Sequence, residues 1–199
     1  MIRLGSLLLL GLLFTSSLPA ATATPSERVK ETVDKVLEVL QKPGLDAQQR
    51  RDQVREIVRQ RFDYESMSQV ILGKNWRTAT QVQRDQFTTL FRELLEQTYF
   101  SAMDSYNDQK VRMGRERQKG KLAEVQTYIA SASKEVPVNY RLRLRGDEWY
   151  AYDVTVDGVS LVSNYRTSFN NLVREKGMDG LLSELAEKVA TLKTKNKQE

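Results

Sequence analysis

The chain has 199 residues and a formal net charge of +5, and it contains neither histidine nor cysteine. Ser-His-Asp triads, cysteine nucleophiles, zinc sites and haem sites all depend on one or both of those residues, so carboxylates, lysines, tyrosines and hydroxyls are what remain for chemistry. A carboxylate pair of the glycosidase kind stays open. The positive excess is mild in a chain also rich in Asp and Glu, and it lacks the aggregate basic signature of a nucleic-acid binder.

The first segment reads as an export signal. Arg3 gives a positive start, Leu4 to Leu13 is an apolar run interrupted only by Gly5, Ser6 and Gly11, and Ala21-Thr22-Ala23 supplies the small-x-small pattern of a cleavage site. The run falls short of the roughly 20 residues a membrane span needs. We expect residues 1–23 to be a signal peptide cleaved near Ala23, and 24–199 to form one domain. With no cysteine, lipid attachment through a lipoprotein cysteine is excluded, and packing rather than disulfides must stabilise the exported chain.

Beyond it, Ser26 is placed to cap a helix with Val29, Val33, Val36, Leu37 and Leu40 at three- and four-residue steps, ended by Pro43-Gly44. Asp46 is placed to cap a second, with Val54, Ile57, Val58 and Phe62 on one face and Arg50, Arg51, Asp52, Arg55 and Arg59 on the other. A third segment runs from Tyr64 to Leu72 and reaches Gly73, which suits a left-handed cap. Thr80 and Gln83 then form a capping-box pattern before a broad stripe of Phe87, Leu90, Phe91, Leu94, Leu95, Thr98 and Ala102. Tyr99 and Tyr106 flank that stripe, and Phe100 falls on the opposite side.

From Val111 the period changes to two. Val111 to Gln118 and Leu122 to Ala130 read as a hairpin around Gly120. Val136, Val138, Tyr140, Leu142 and Leu144 alternate with Pro137, Asn139, Arg141, Arg143 and Arg145, a strand with one apolar and one basic face. After the Gly146-Asp147 turn comes a strand from Trp149 to Val156, expected to carry Tyr150, Tyr152, Val154 and Val156 on one side. Asp157-Gly158 marks a further turn. Helices resume from about Val162 to Lys176, stopped at Gly177, and again from Asp179 as N-cap. Helices, then an antiparallel meander, then helices define an α+β fold: a small, strongly twisted sheet packed against a helical cluster.

Two blocks of residues carry a family resemblance. The first holds Phe62-Asp63-Tyr64, Met67, Leu72-Gly73-Lys74-Asn75-Trp76, Phe87, Phe91 and Tyr99. The second holds Tyr140-Arg141-Leu142, Trp149 to Val154, Asp157 to Val162, Asn164-Tyr165-Arg166 and Phe169. In order and spacing they resemble the MlaC, or toluene-tolerance, family of periplasmic phospholipid-binding proteins, although that family often has Glu where this chain has Asp157. The resemblance implies a deep apolar lipid cavity and a monomeric carrier with phospholipid as cargo, no cofactor, no metal and no catalytic residue. It also implies shuttling between an outer-membrane lipoprotein–porin complex and an inner-membrane ABC transporter complex with its substrate-binding subunit, which maintains outer-membrane lipid asymmetry.

On that resemblance, the expected cavity wall is Phe87, Phe91, Leu94, Leu95 and Tyr99 from the long helix and Val138, Tyr140, Leu142, Tyr152 and Val154 from the sheet. Trp76, Tyr106, Val159, Leu161 and Tyr165 are added as neighbours. Each is equally a candidate for plain core packing. Asp153 and Arg166 read either as acid and electrophile of an enzyme or as a buried ion pair or turn-stabilising bonds, the latter favoured because polar groups near a core must be paired. Arg141, Arg143 and Arg145 read as a solvated face or as a contact for phosphates or acidic partners, so a non-lipid envelope scaffold is a further alternative.

Overall fold

A computed structural model describes residues 23–99, 109–130 and 134–198; residues 1–22, where most of the expected signal peptide falls, and Phe100, Ala102 and Tyr106 lie outside them. Five helices precede the sheet: α1 (Pro25–Gln41), α2 (Ala47–Arg59), α3 (Tyr64–Leu72), α4 (Lys74–Thr78) and α5 (Gln81–Tyr99). The strands are β1 (Lys110–Lys119), β2 (Leu122–Ala130), β3 (Glu135–Arg145), β4 (Glu148–Val156) and β5 (Val159–Ser160), followed by α6 (Leu161–Gln198). The architecture is α+β, as expected.

Capping explains the helix starts. The α1 cap is Thr24, not Ser26: its hydroxyl accepts from Glu27 N–H while Glu27 bonds back to Thr24 N–H, and Pro25 occupies the first turn, where it forfeits no helical bond. Asp46 and Gln49 make the same reciprocal pair for α2, and Thr80 and Gln83 for α5. Gly177, at φ 72° and ψ −178°, breaks α6 into two helical stretches. The second does not use Asp179 as a side-chain cap; its carboxylate accepts from Gln83 Nε2 at 2.7 Å and ties α6 to α5.

The sheet is a meander in the order β1-β2-β3-β4-β5, all neighbours antiparallel. Its β4 edge is covered by the short β5 and by the Arg61–Asp63 segment, where Asp63 N–H donates to Ala151 O at 2.8 Å and Ala151 N–H to Arg61 O at 2.9 Å. One expectation about β4 fails. The β3–β4 register shifts between Arg141 and Leu142, so Leu142 faces Ala151 while Arg141 faces Asp153. Tyr152 is the additional residue of a β-bulge, and the strand changes phase there. Trp149 and Ala151 therefore join Val154 and Val156 on the face of Leu142 and Tyr140, whereas Tyr150 and Tyr152 turn to the basic face. Strict alternation could not anticipate that extra residue.

Two apolar clusters result. One is helical and joins α3, α5 and α6 through Met67, Ile71, Leu72, Phe87, Phe91 and Leu181. The other joins α1 to the inner sheet face through Val29, Ala123, Val125, Leu142 and Trp149.

Candidate functional site

A cavity of about 430 Å³ opens between α1, the end of α2 and the inner face of the sheet. Its volume lies within the few hundred to a thousand cubic ångströms usual for small-molecule sites. The α1 wall is the stripe Val29, Val33, Val36, Leu37 and Leu40, whose three- and four-residue steps put all five on one helical face. Opposite stand Tyr140, Leu142, Trp149 and Ala151, with Val111 and Ile129 towards one end, Val58 from the end of α2 and Phe62 from the α2–α3 connection.

Polar groups on the lining are few, and most are already partnered. Arg28 donates to Glu31 at 2.5 Å and to Glu148 at 2.9 Å, and Arg61 reaches Glu148 at 3.1 Å, so one acid links α1, the α2–α3 connection and β4. Glu31 is held below the ordinary carboxylate range, first by the hydrogen bond from Lys35 and then by the charges of Arg28 and Arg61. Tyr140 places its ring on the wall, and burial pushes its phenol above the ordinary value against a hydrogen bond with Thr127. The site can hold an apolar body; among the described residues no group of three or more acidic side chains is placed to hold a metal ion.

Of the expected wall residues, Tyr140 and Leu142 line this cavity. Val138 and Val154 are buried and share their face by register. Phe87, Phe91, Leu94 and Leu95 lie elsewhere, packed inside the helical cluster. There Phe87 and Phe91 stack at 5.9 Å and meet Phe169 edge-on at 5.6 and 6.2 Å. Tyr165 joins that cluster at 5.4 Å from Phe91, and Trp76 packs at its margin under Arg84, 5.5 Å from the ring. Tyr152 lies on the outer face beneath Arg143 at 5.4 Å. Tyr99 is 38% exposed at the end of α5, Val159 is 58% exposed, and Leu161 is the partly buried first residue of α6. Tyr106 lies outside the described residues. The long helix and the inner sheet face thus do not form one wall. The α1 stripe takes that place, and its signal in the sequence was the periodicity itself: five apolar positions for which no partner had been assigned.

The polar residues of the recognised blocks have structural partners. Asp153 is buried, accepts from Ser160 Oγ at 2.8 Å and from Val162 N–H at 3.2 Å, and sits 3.8 Å from Arg141, so it fastens the start of α6 to the sheet. Arg166 is exposed and is not its ion-pair partner. Arg145 Nε lies 2.9 Å from Asp63, the α3 N-cap, and both Arg143 and Arg145 donate to Ser66 Oγ at 3.2 Å. The basic row of β3 thereby pins the first turn of α3 to the outer sheet face.

Residues 30–187 match the family model described as MlaC protein. The chain is 24% identical to the intermembrane phospholipid transport system binding protein MlaC of Haemophilus influenzae over 175 residues, 83% of this chain and 82% of that one. It is 29% identical to toluene tolerance protein ttg2D of Pseudomonas putida over 120 residues, 59% of this chain and 56% of that one. A phospholipid-binding protein from Ralstonia solanacearum, solved in complex with a phospholipid, superposes with a TM-score of 0.79 at 26% identity, covering 85% of this chain and 99% of that one.

Proposed function

The chain belongs to the MlaC protein family, and from that premise we propose that it is a periplasmic carrier that encloses phospholipid acyl chains and catalyses no reaction. It shuttles lipid between an outer-membrane lipoprotein–porin complex and an inner-membrane ABC transporter complex. The observation that carries the reading is the apolar cavity between α1 and the sheet. The lipid complex of the Ralstonia relative supports the choice of cargo. Asp153, one of the carboxylates an enzyme reading could use, is engaged at the start of α6, which supports the carrier over that reading.

The energetics suit a carrier. Two tails with about 30 methylenes lose roughly 24 kcal/mol on moving from a membrane into water, at about 0.8 kcal/mol per methylene. A dry cavity that returns nearly all of this, and little more, lets cargo enter at one membrane and leave at another. No covalent step is needed. Because hydrocarbon is the cargo's environment on both sides of the exchange, the wall needs apolar area rather than many specific polar contacts.

Solvent extraction and native mass spectrometry of gently purified protein should recover phospholipid. A charge on the wall should remove it, because an unpaired charge against hydrocarbon is strongly unfavourable. Leu142→Glu tests the sheet side and Leu37→Glu the half-buried helix side, where folding is less at risk. Lipid-free wild-type protein that moves no lipid between vesicles defeats the carrier reading; folded variants with full lipid content defeat the wall.

A further inference from the structure

Positive charge is not evenly placed along the chain. Residues 110–121 hold six Lys or Arg against the single acid Glu116, a net of +5 equal to that of the whole chain, so the other 187 residues balance at 25 of each sign. These twelve residues are β1 and its turn into β2, the sheet edge with which no described strand pairs. All six cations are exposed. Arg112 is occupied by Glu135 at 2.9 Å and lies over Tyr128 at 4.2 Å, and Glu116 accepts from Ser26 N–H at 2.8 Å. Lys110, Arg115, Arg117, Lys119 and Lys121 have no ion-pair partner among the described residues.

We propose that the β1 edge and the β1–β2 turn form a docking surface for an anionic lipid bilayer, through which the protein meets a membrane. The proposal adds to the carrier reading, and none of its six cations lines the cavity, although Val111 of the same strand does. Charge complementarity carries it: a strip of unpaired cations fits a continuous layer of phosphates, and at the turn Leu122, 45% exposed opposite Lys119, adds an apolar side chain among them. An added partner strand fits less well. The β1–β2 register breaks between Met113 and Glu116, and the bulge interrupts the straight edge that strand addition requires. The bulge is built in, since a Cβ on Gly114 would lie 2.9 Å from the Tyr128 ring and 3.0 Å from Gln126 O. The helix α1 packs on the inner face of β1 and β2, so a bilayer meeting the edge and turn leaves it uncovered.

The test is co-sedimentation of the mature chain with phosphatidylcholine vesicles, plain or with equal parts phosphatidylglycerol, at low and high salt. Binding is expected to the anionic vesicles alone and to fade as salt shortens the screening length. A hairpin variant (Arg115, Arg117, Lys119 and Lys121 to Gln) is compared with a control losing the same charge elsewhere (Lys42, Lys74, Arg77 and Lys188 to Gln). Each cation near such a surface strengthens binding about fivefold, so the hairpin variant should lose roughly a hundredfold or more while the control keeps most of its binding. Equal losses in both overturn the proposal. So does indifference to anionic vesicles combined with salt-dependent capture on polyglutamate beads, which assigns the strip to an acidic protein. Should the fourfold variant misfold, the pairs Arg115/Arg117 and Lys119/Lys121 are each expected to lose at least tenfold. Lipid content is measured on the same samples: loss of vesicle binding with lipid retained defeats only the docking surface, and lipid-free wild type defeats only the carrier.

Discussion

The helical cluster and the sheet cluster both bury apolar side chains, yet only one of them is filled. Around α5, Phe87, Phe91 and Phe169 interlock at 5.6 to 6.2 Å, and Met67, Ile71, Leu72 and Leu94 close the remaining space to solvent. Under α1, the valines and leucines meet the sheet only along part of their length, and about 430 Å³ stays open. Large flat rings from α5 and α6 fill volume efficiently, whereas a row of short branched side chains facing a sheet leaves a slot. Stability should therefore reside in the helices and cargo capacity under α1.

Truncation on each side gives the strongest test of that division. Phe91→Ala removes a ring with no accessible surface and should cost about 3–5 kcal/mol of unfolding free energy, as such core truncations do. The folded fraction should still carry lipid. Leu37→Ala, on the half-buried cavity wall, removes contacts that were already incomplete and should cost about 1 kcal/mol while loosening lipid retention. Urea unfolding and lipid extraction on both variants check the pair. Equal stability losses, or lipid lost from folded Phe91→Ala alone, break the comparison.

The same contrast explains what could be read without coordinates. Periods of 3.6 and 2 located the major helices and strands, and the Thr80–Gln83 and Asp46 caps were visible because local hydrogen bonding chooses those residue types. Membership of a wall was less legible. Phe91 and Leu37 both sit on apolar stripes, and a stripe says that a face is buried without saying against what. The β4 bulge is a second case: a single additional residue at Tyr152 reverses the facing of Tyr150 and Tyr152, and no residue type there announces it. Asp153 lay in between. The need for a partner was legible, but the partners, Ser160 and Val162 N–H, depend on how β5 turns into α6.

An effect smaller than that of Phe91→Ala is expected where the helical cluster is fastened to α2. Glu96 is buried on α5 and accepts from Arg59 at 2.6 and 2.8 Å, with Arg55 at 3.2 Å. The hydrogen bond to Glu96 is the chief cause that raises the Arg59 pKa. Glu96→Gln keeps the shape but removes the charge, and should cost about 2 kcal/mol, in the range of charge-assisted bonds. Because α2 also contributes Val58 to the cavity, the variant asks whether the two regions are coupled. Unchanged lipid content at lowered stability keeps them separate; a parallel loss of cargo joins them through α2.

The smallest expected effect is a pH dependence confined to the alkaline side. Tyr165 packs between Phe91 and Phe169 at 5.4 Å from each, and its phenol is pushed up to about 12, first by burial and then by Tyr99. In the unfolded chain a tyrosine gives up its proton near pH 10. Below that value both states are protonated and the native state keeps its full stability. Between about 10 and 12 the unfolded state ionises while folded Tyr165 does not, so stability falls as pH rises through that window. Tyr64, pushed up chiefly by burial at the edge of the helical cluster, and Tyr140 on the cavity wall act in the same direction. Tyr165→Phe loses the hydrogen bond with Tyr99 but has no proton to release. It should start slightly below wild type at neutral pH and approach it as pH climbs towards 12. Urea midpoints measured across that range read the difference directly, and a gap that stays constant shows that the phenol titrates alike in both states. The corresponding Tyr140→Phe variant should close the same kind of gap in delipidated protein, which makes the two tyrosines matched reporters of the filled and the open cluster.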